Sequence, residues 1–566
     1  MIIYNTKKES IDLKKQTFLF SSAILILSAL LAKLAGALFR IPLANMLGGT
    51  GMGYFSGAYG IFMTVYAVSV TGLPAAVAKL TAENSALERY ANLRRVKSSA
   101  LLFFSFCGLA FTIIMLIVAY PFCMYINKSP ETTPAVLAIA PAVFFGCVTS
   151  VYRGYYEGLR NMFPTAISQI VEGLAKLCAG LALCLLVLRD PEKFTSFTKL
   201  FGSGKNAVLS AAAAASVLGV TISTAAGTLF LILRDKISGD GITPEQIAAS
   251  CGRNQTDSRR KIISALLKTA VPIAIGALVT NLTTLIDLVT ITRSLETAVS
   301  KSPEYFRRLS GGIPTAELPN FLFGCFTGLA VTVFNLVPSF TNMFGKGILP
   351  AISEAFAAGN RENLRSCSEK AVFATAFVSV PSAVGITVLS GEILRTLFPA
   401  KPAETAVCTH SLSVLGIGVA FLCMSSTFFA ILQAAGRPEL PVKLMLAGVA
   451  VKFSGNILLV PLPELNISGA AASTLLCYAV ICIPAAAEVI KLTGIDKSYI
   501  SAVLLKICFC SILCGGTALL AKNVLSGSLN GMFLLFAAIF CGGIFYIISA
   551  VLLGIFTKNS LKALFS

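Results

Sequence analysis

Fourteen apolar runs of about 20 residues dominate this 566-residue chain, near 17–47, 53–81, 98–126, 132–157, 164–188, 206–233, 263–292, 320–344, 371–398, 406–432, 439–460, 466–490, 498–521 and 529–555. A helix needs roughly 20 such residues to cross the hydrocarbon of a bilayer, so each run is long enough for one crossing. The expected fold is an all-α polytopic membrane protein with about fourteen transmembrane helices. Composition agrees, with 56% hydrophobic and 13% charged residues, far from the roughly 25% charged in a soluble domain.

The loops set the expected orientation. Taken with the adjoining span ends, the N-terminal tail, the even-numbered loops and the C-terminal tail hold 28 Lys and Arg, and the odd-numbered loops hold 12. Positive loops stay inside, so both termini are expected in the cytoplasm. The net charge of +19 is spread over many short loops. That distribution suits attraction to anionic membrane lipids and not nucleic-acid binding.

Four landmarks repeat at a near-constant offset. Gly72-Leu73-Pro74-Ala75 answers Leu349-Pro350-Ala351, and Asn92-Leu93-Arg94 answers Asn363-Leu364-Arg365. Pro164 answers Pro441, and Lys176 answers Lys452. The offsets of 276, 271, 277 and 276 argue for duplication of a six-span unit. Six is even, so both copies share one orientation, as in parallel-repeat transporters. The expected layout is a tail at 1–16, one lobe at 17–234, a linker at 235–262, a pseudo-symmetric second lobe at 263–491, and spans 13 and 14 with the C-terminal tail in 492–566.

Lys33 and Arg40 in span 1, Lys176 in span 5 and Lys452 in span 11 stand inside hydrophobic runs. A cation in hydrocarbon costs about 2.5–3.5 kcal/mol on insertion scales, so such residues face a polar cavity and meet an anion there. Lys33 and Arg40 are seven residues apart, which places them on one helix face about 10 Å apart along the axis. Asp287 in span 7 is a candidate for a coupling ion, Na⁺ or H⁺, with Asn281 and Thr284 nearly on its face. Glu172, one turn before Lys176, offers the alternative of an i,i+4 pair. Gly36, Pro42, Pro74 and Pro272 are the candidate hinges, with span 1 expected to bend near Pro42.

Other chemistry has little support in the residues. The sixteen Cys are scattered and form no ligand pattern, the C-x-C of Cys508 and Cys510 included, so no metal site is expected. No G-x-x-x-x-G-K-[ST] occurs, which argues against ATP as the energy source. The single His410, near Glu404 in sequence, is the one place an external acid/base could be assembled, as a membrane sugar-polymer ligase would need. A cation-coupled drug antiporter is a third reading, which would want an acidic first lobe.

The residues also carry a resemblance. Lys33-Leu-Ala-Gly36-Ala-Leu-Phe-Arg40-Ile-Pro-Leu-Ala-Asn-Met-Leu-Gly48, Gly53-Tyr-Phe-Ser-Gly-Ala-Tyr-Gly60, Gly158-Leu-Arg-Asn-Met-Phe-Pro-Thr-Ala-Ile-Ser-Gln169, Lys452-Phe-Ser-Gly-Asn456-Ile-Leu-Leu-Val-Pro461 and Gly469-Ala-Ala-Ala-Ser-Thr474 resemble the stage V sporulation protein B branch of polysaccharide transporters. That branch lies in the multidrug/oligosaccharidyl-lipid/polysaccharide exporter superfamily, beside the lipid II flippases. The resemblance implies two six-helix lobes around a V-shaped cavity, a groove for a lipid tail at spans 13 and 14, and transport, not catalysis, of an undecaprenyl-diphosphate-linked saccharide across a bacterial plasma membrane. It matches Lys33 and Arg40 to a pair of diphosphate-binding cations, with Lys in place of Arg at the first. It matches Asp287 to a sodium-binding carboxylate and Asn456 to its partner in span 11. Where some relatives add a further acid, this chain has Val460.

Overall fold

A computed structural model describes residues 18–253, 256–309 and 313–555. The tail expected at 1–16 and residues 556–566 of the last section lie outside the described residues. The architecture is carried by α1 (Phe18–Ser69), α2 (Leu73–Ala86), α3 (Tyr90–Pro121), α4 (Pro141–Gly158), α5 (Phe163–Arg189), α6 (Gly204–Ser238), α7 (Arg259–Lys301), α8 (Leu318–Cys325), α9 (Leu336–Ala357), α10 (Arg361–Val388), α11 (Pro402–Ala434), α12 (Glu439–Leu459), α13 (Ile467–Thr493), α14 (Lys497–Leu525) and α15 (Gly531–Leu552). No strand occurs among the described residues.

Among the described residues thirteen stretches are long and apolar enough to cross a membrane, and the first, Leu30–Ala86, runs to 57 residues. It crosses twice. Gly48 breaks the helix at φ 65°, ψ −170°, a conformation suited to glycine. The Phe39 and Phe55 ring centroids lie 6.0 Å apart, whereas sixteen residues of straight helix would separate them by about 24 Å. The chain therefore reverses at Gly48, which brings the crossings to the expected fourteen. Helical structure continues through Pro42, so the break falls six residues later than the expected bend. Pro74 opens α2 in its first turn, where its missing N–H costs nothing, and Pro272 lies inside α7.

The duplication is visible in the packing. In the first half α3 packs on α4, and α5 and α4 both pack on α6; in the second, α10 packs on α11, and α12 and α11 both pack on α13. Backbones approach closely where Gly219 meets Gly180, since a Cβ on Gly219 would lie 2.3 Å from the Gly180 Cα. Helices α14 and α15 pair with each other and lean on α10, where the Tyr546 hydroxyl donates to the Phe377 carbonyl at 2.9 Å.

The two halves meet unequally on the two sides. Around the Gly48 turn one continuous core joins Phe39, Leu43 and Phe55 to Leu288, Phe321, Leu329 and Leu415. Towards the opposite helix ends it divides: Leu93, Val96 and Val151 form one cluster, and Leu364, Phe428 and Val489 another. Helix α7 belongs to both sides. Its first turns, at Ile262, Leu266 and Ala270, pack against Leu73, Val77 and Leu93, while Leu288, Ile291 and Leu295 enter the joint core.

On the closed side small residues form a clamp. Gly49 and Gly53, a G-x-x-x-G pair, face Gly324 so tightly that a Cβ on Gly324 would lie 1.9 Å from the Gly49 carbonyl oxygen. Asn320 donates to the Thr50 carbonyl at 3.1 Å and Asn45 to the Leu397 carbonyl at 2.8 Å. Gly324→Val is therefore expected to hold this side apart. In a cysteine-free background, a Cys pair at Thr50 and Asn320 should cross-link while Gly324 is kept and fail to do so once Gly324→Val is added; equal cross-linking would contradict the clamp.

Candidate functional site

Two of the expected cations converge in the first half. The reversal at Gly48 folds the second arm of α1 against the first, and α5 packs on both, with Gly173 over Ala32 and Ala35 and Gly180 against Phe39. The Arg40 guanidinium carbon then lies 5.5 Å from the Tyr59 ring centroid and 5.9 Å from that of Phe55. The Lys176 ammonium approaches the same Tyr59 ring at 5.2 Å and Phe39 at 5.3 Å. Phe55 and Tyr59 stack at 5.8 Å, which makes an aromatic floor. Cation–π contact of this kind is worth about 0.5–2 kcal/mol, less than a carboxylate partner would supply in a dry site.

No carboxylate balances this pair among the described residues. Glu172, the sequence neighbour of Lys176, instead binds Arg153 of α4 at 2.7 Å, and the Arg153 Nε donates to Ser168 at 2.9 Å. The i,i+4 alternative for Glu172 and Lys176 is thus corrected: tertiary packing gives the acid to an arginine on the neighbouring helix. Two positive charges facing one ring, with nearby acids already taken, form a site suited to an anion.

The second half is arranged in the opposite sense. Lys452, the repeat counterpart of Lys176, is bound to Asp287 at 2.7 Å, and the two side chains are 5% and 13% exposed. Asn456, one turn on, donates to the other Asp287 oxygen at 3.0 Å and to Thr290 at 2.9 Å. Its own Oδ1 is buried with no hydrogen-bond partner among the described residues. The sequence leaves Asp287 without a local partner; the structure supplies one 165 residues away. Asn281 donates to the Ala277 carbonyl of its own helix and Thr284 is exposed, so Thr290, not these two, completes the cluster.

Both Asp287 oxygens are thus engaged by hydrogen-bond donors, one of them the Lys452 ammonium.

The two clusters flank one helix contact. Gly60, next to Tyr59, packs on Leu288, next to Asp287, with its Cβ direction 3.1 Å from that side chain. Lys33 is exposed one face and two turns from Arg40, and a Cβ on Gly36 between them would meet nothing within 4 Å. Elsewhere, Glu404 lies beside the Gly48 turn with Lys401, and His410 is exposed. Sequence reasoning missed Tyr59, Thr290 and the Gly49–Gly53 pair. The G-x-x-x-G spacing was the available signal for the last.

The fold, with its paired six-helix halves, is that of the polytopic transporters of the multidrug/oligosaccharidyl-lipid/polysaccharide superfamily. The structure resembles lipid II flippase MurJ in an inward closed conformation, with TM-score 0.57 and 16% identity over 94% of this chain and 98% of that one. An inward-facing multidrug resistance MATE family transporter gives TM-score 0.59 at 14% identity, over 83% and 99%. The polysaccharide biosynthesis protein family model matches residues 18–356 and the lipid II flippase MurJ model residues 328–540. The chain belongs to the polysaccharide biosynthesis protein family. Among its relatives are stage V sporulation protein B of Bacillus subtilis (strain 168), 23% identical over 85% of each chain, and lipid II flippase MurJ of the same organism, 22% identical over 80% of this chain and 79% of that one.

Proposed function

We propose that this protein is a flippase that carries an undecaprenyl-diphosphate-linked saccharide from the inner to the outer leaflet of a bacterial plasma membrane by alternating access, without making or breaking covalent bonds. One observation carries the reading: Arg40 and Lys176 meet over Tyr59 with no carboxylate between them among the described residues. A diphosphate-sugar head pays heavily to enter hydrocarbon, and fixed cations replace part of the hydration it loses. Lys33, two turns away on α1, extends the cationic track. The prenyl tail stays in lipid, along α14 and α15.

The matches to lipid II flippase and polysaccharide family models support the lipid-linked substrate class. A core joined on one side and divided on the other supports two lobes, 17–234 and 263–491, rocking about a closed outer face. Energy comes from a gradient, the membrane potential or substrate flow, not from ATP. The coupling ion is Na⁺ or H⁺, and the buried Asp287–Lys452 pair is the place where it would act.

Two experiments test this. An undecaprenyl-diphosphate sugar with a photoreactive group near the diphosphate should label peptides containing Arg40 or Tyr59, and unlabelled lipid should compete. Labelling confined to loop peptides would sink the site. For the orientation, a reporter Cys in the 235–262 loop should resist an impermeant thiol reagent in intact cells and one at 302–312 should react; the reverse pattern would invert the direction of transport.

A further inference from the structure

The repeated Asn-Leu-Arg motif is not used by the cation site, yet its arginine, Arg94 or Arg365, lines a cavity in each half. We propose that these cavities are a pseudo-equivalent pair of sites for the phosphate of anionic membrane lipids, one per half, on the side where α3 and α10 begin. The proposal is independent of what the protein transports.

In the first half a cavity of about 740 Å³ opens at the start of α3, bounded by Arg94, Arg95 and Lys97, by the end of α6 and by Arg259 at the start of α7. In the second a cavity of about 610 Å³ opens at the start of α10, bounded by Arg361, Arg365 and the end of α13 at Lys491. Both volumes fall within the roughly 300–1,000 Å³ of small-ligand sites. The motif sits alike in each: Leu93 and Leu364 are buried and anchor the turn, while the arginine after them faces the cavity. A glycine with positive φ ends the opposing helix in both, Gly239 at 67° and Gly494 at 70°. The repeat thus preserves a cavity and not merely a helix start.

Charge and surroundings identify the ligand class. The first cavity is lined by four cations and the two carboxylates of Asp235 and Asp240, the second by three cations and Glu362; in the second, Glu369 holds Arg365 at 2.7 Å and Glu488 holds Lys491 at 2.9 Å, which leaves Arg361 without a carboxylate among the described residues. Asp235 already binds Lys97, and Asp240 accepts from the Tyr155 hydroxyl at 2.8 Å, which leaves Arg95 and Arg259 without a carboxylate among the described residues. Arginine forks suit a phosphate. Each cavity also adjoins an exposed apolar stripe at helical spacing. On α3 it is Leu102, Phe106, Leu109, Ile113 and Ile117; on α13 it is Leu476, Val480 and Ile483. A headgroup in the cavity would lay its chains along that stripe, so the phosphate comes from a lipid and not from solution. Basic pockets between helix ends are a recurrent form of lipid recognition.

The test uses the purified full-length protein in detergent, titrated with phosphatidylglycerol or phosphatidylcholine of the same chains and read by native mass spectrometry. Two phosphatidylglycerols should be retained, phosphatidylcholine should not, and rising salt should strip them. Arg95→Gln with Arg259→Gln should weaken one site about tenfold or more, and Arg361→Gln with Arg365→Gln the other. Equal retention of both lipids, full retention by the variants, or salt-insensitive binding would overturn the proposal. Displacement by inorganic phosphate at matched concentration would reassign the cavities to a soluble anion and overturn the lipid source.

Discussion

Arg40→Ala is expected to abolish translocation while the protein stays in the membrane at normal abundance. Arg40 and Lys176 share Tyr59 and no acid among the described residues, so removing either relieves like-charge repulsion in the free protein at the cost of its two ring contacts. The loss falls on the bound state. A charge-assisted hydrogen bond contributes about 1.5–3 kcal/mol, one to two decades in affinity. Lys176→Ala should behave alike, and Arg40→Lys should retain part of the activity because charge survives while the bidentate fork is lost. Transport per copy of protein, measured in vesicles, checks this. Normal rates in both alanine variants would remove the diphosphate role from these cations.

Lys452→Met should act through stability instead. It strands Asp287, a carboxylate almost closed off from water, and breaking one side of a buried pair costs about 3–5 kcal/mol. Asp287→Leu combined with Lys452→Met removes both charges and should recover most of that loss, as thermal unfolding in detergent would report. If the pair couples transport to protons, the double variant will fold but lose its response to a pH gradient. A double variant that responds like wild type would leave the pair a structural tie between α7 and α12.

These contrasts mark what the sequence made legible. Spans and repeat follow from local composition and spacing, and the structure has them; of the four cations read as lying inside spans, Lys452 is buried, Arg40 and Lys176 are half-buried and Lys33 is exposed. Which acid each cation meets does not follow in this way, because helices distant in sequence decide it. Lys176 and Lys452 are repeat equivalents in the chain, yet one stands on aromatic rings and the other on Asp287. Glu172 reads as an i,i+4 partner of Lys176 until α4 brings Arg153 to it. Pro42 is the louder signal for a break, but a proline late in a helix arm can be absorbed by its neighbours, whereas the positive φ at Gly48 cannot be helical.

Transport of an intact lipid diphosphate by fixed cations can be tested on its own. The most direct measurement is a proteoliposome flipping assay comparing a chemically defined undecaprenyl-diphosphate sugar with an analogue whose diphosphate is replaced by a neutral linker. The proposed flippase should give protein-dependent movement of the diphosphate lipid, recovered intact, little movement of the neutral analogue, and loss of transport in the Arg40→Ala/Lys176→Ala double variant. Equal movement of both lipids, a chemically altered product, or undiminished transport by the double variant would contradict the proposal.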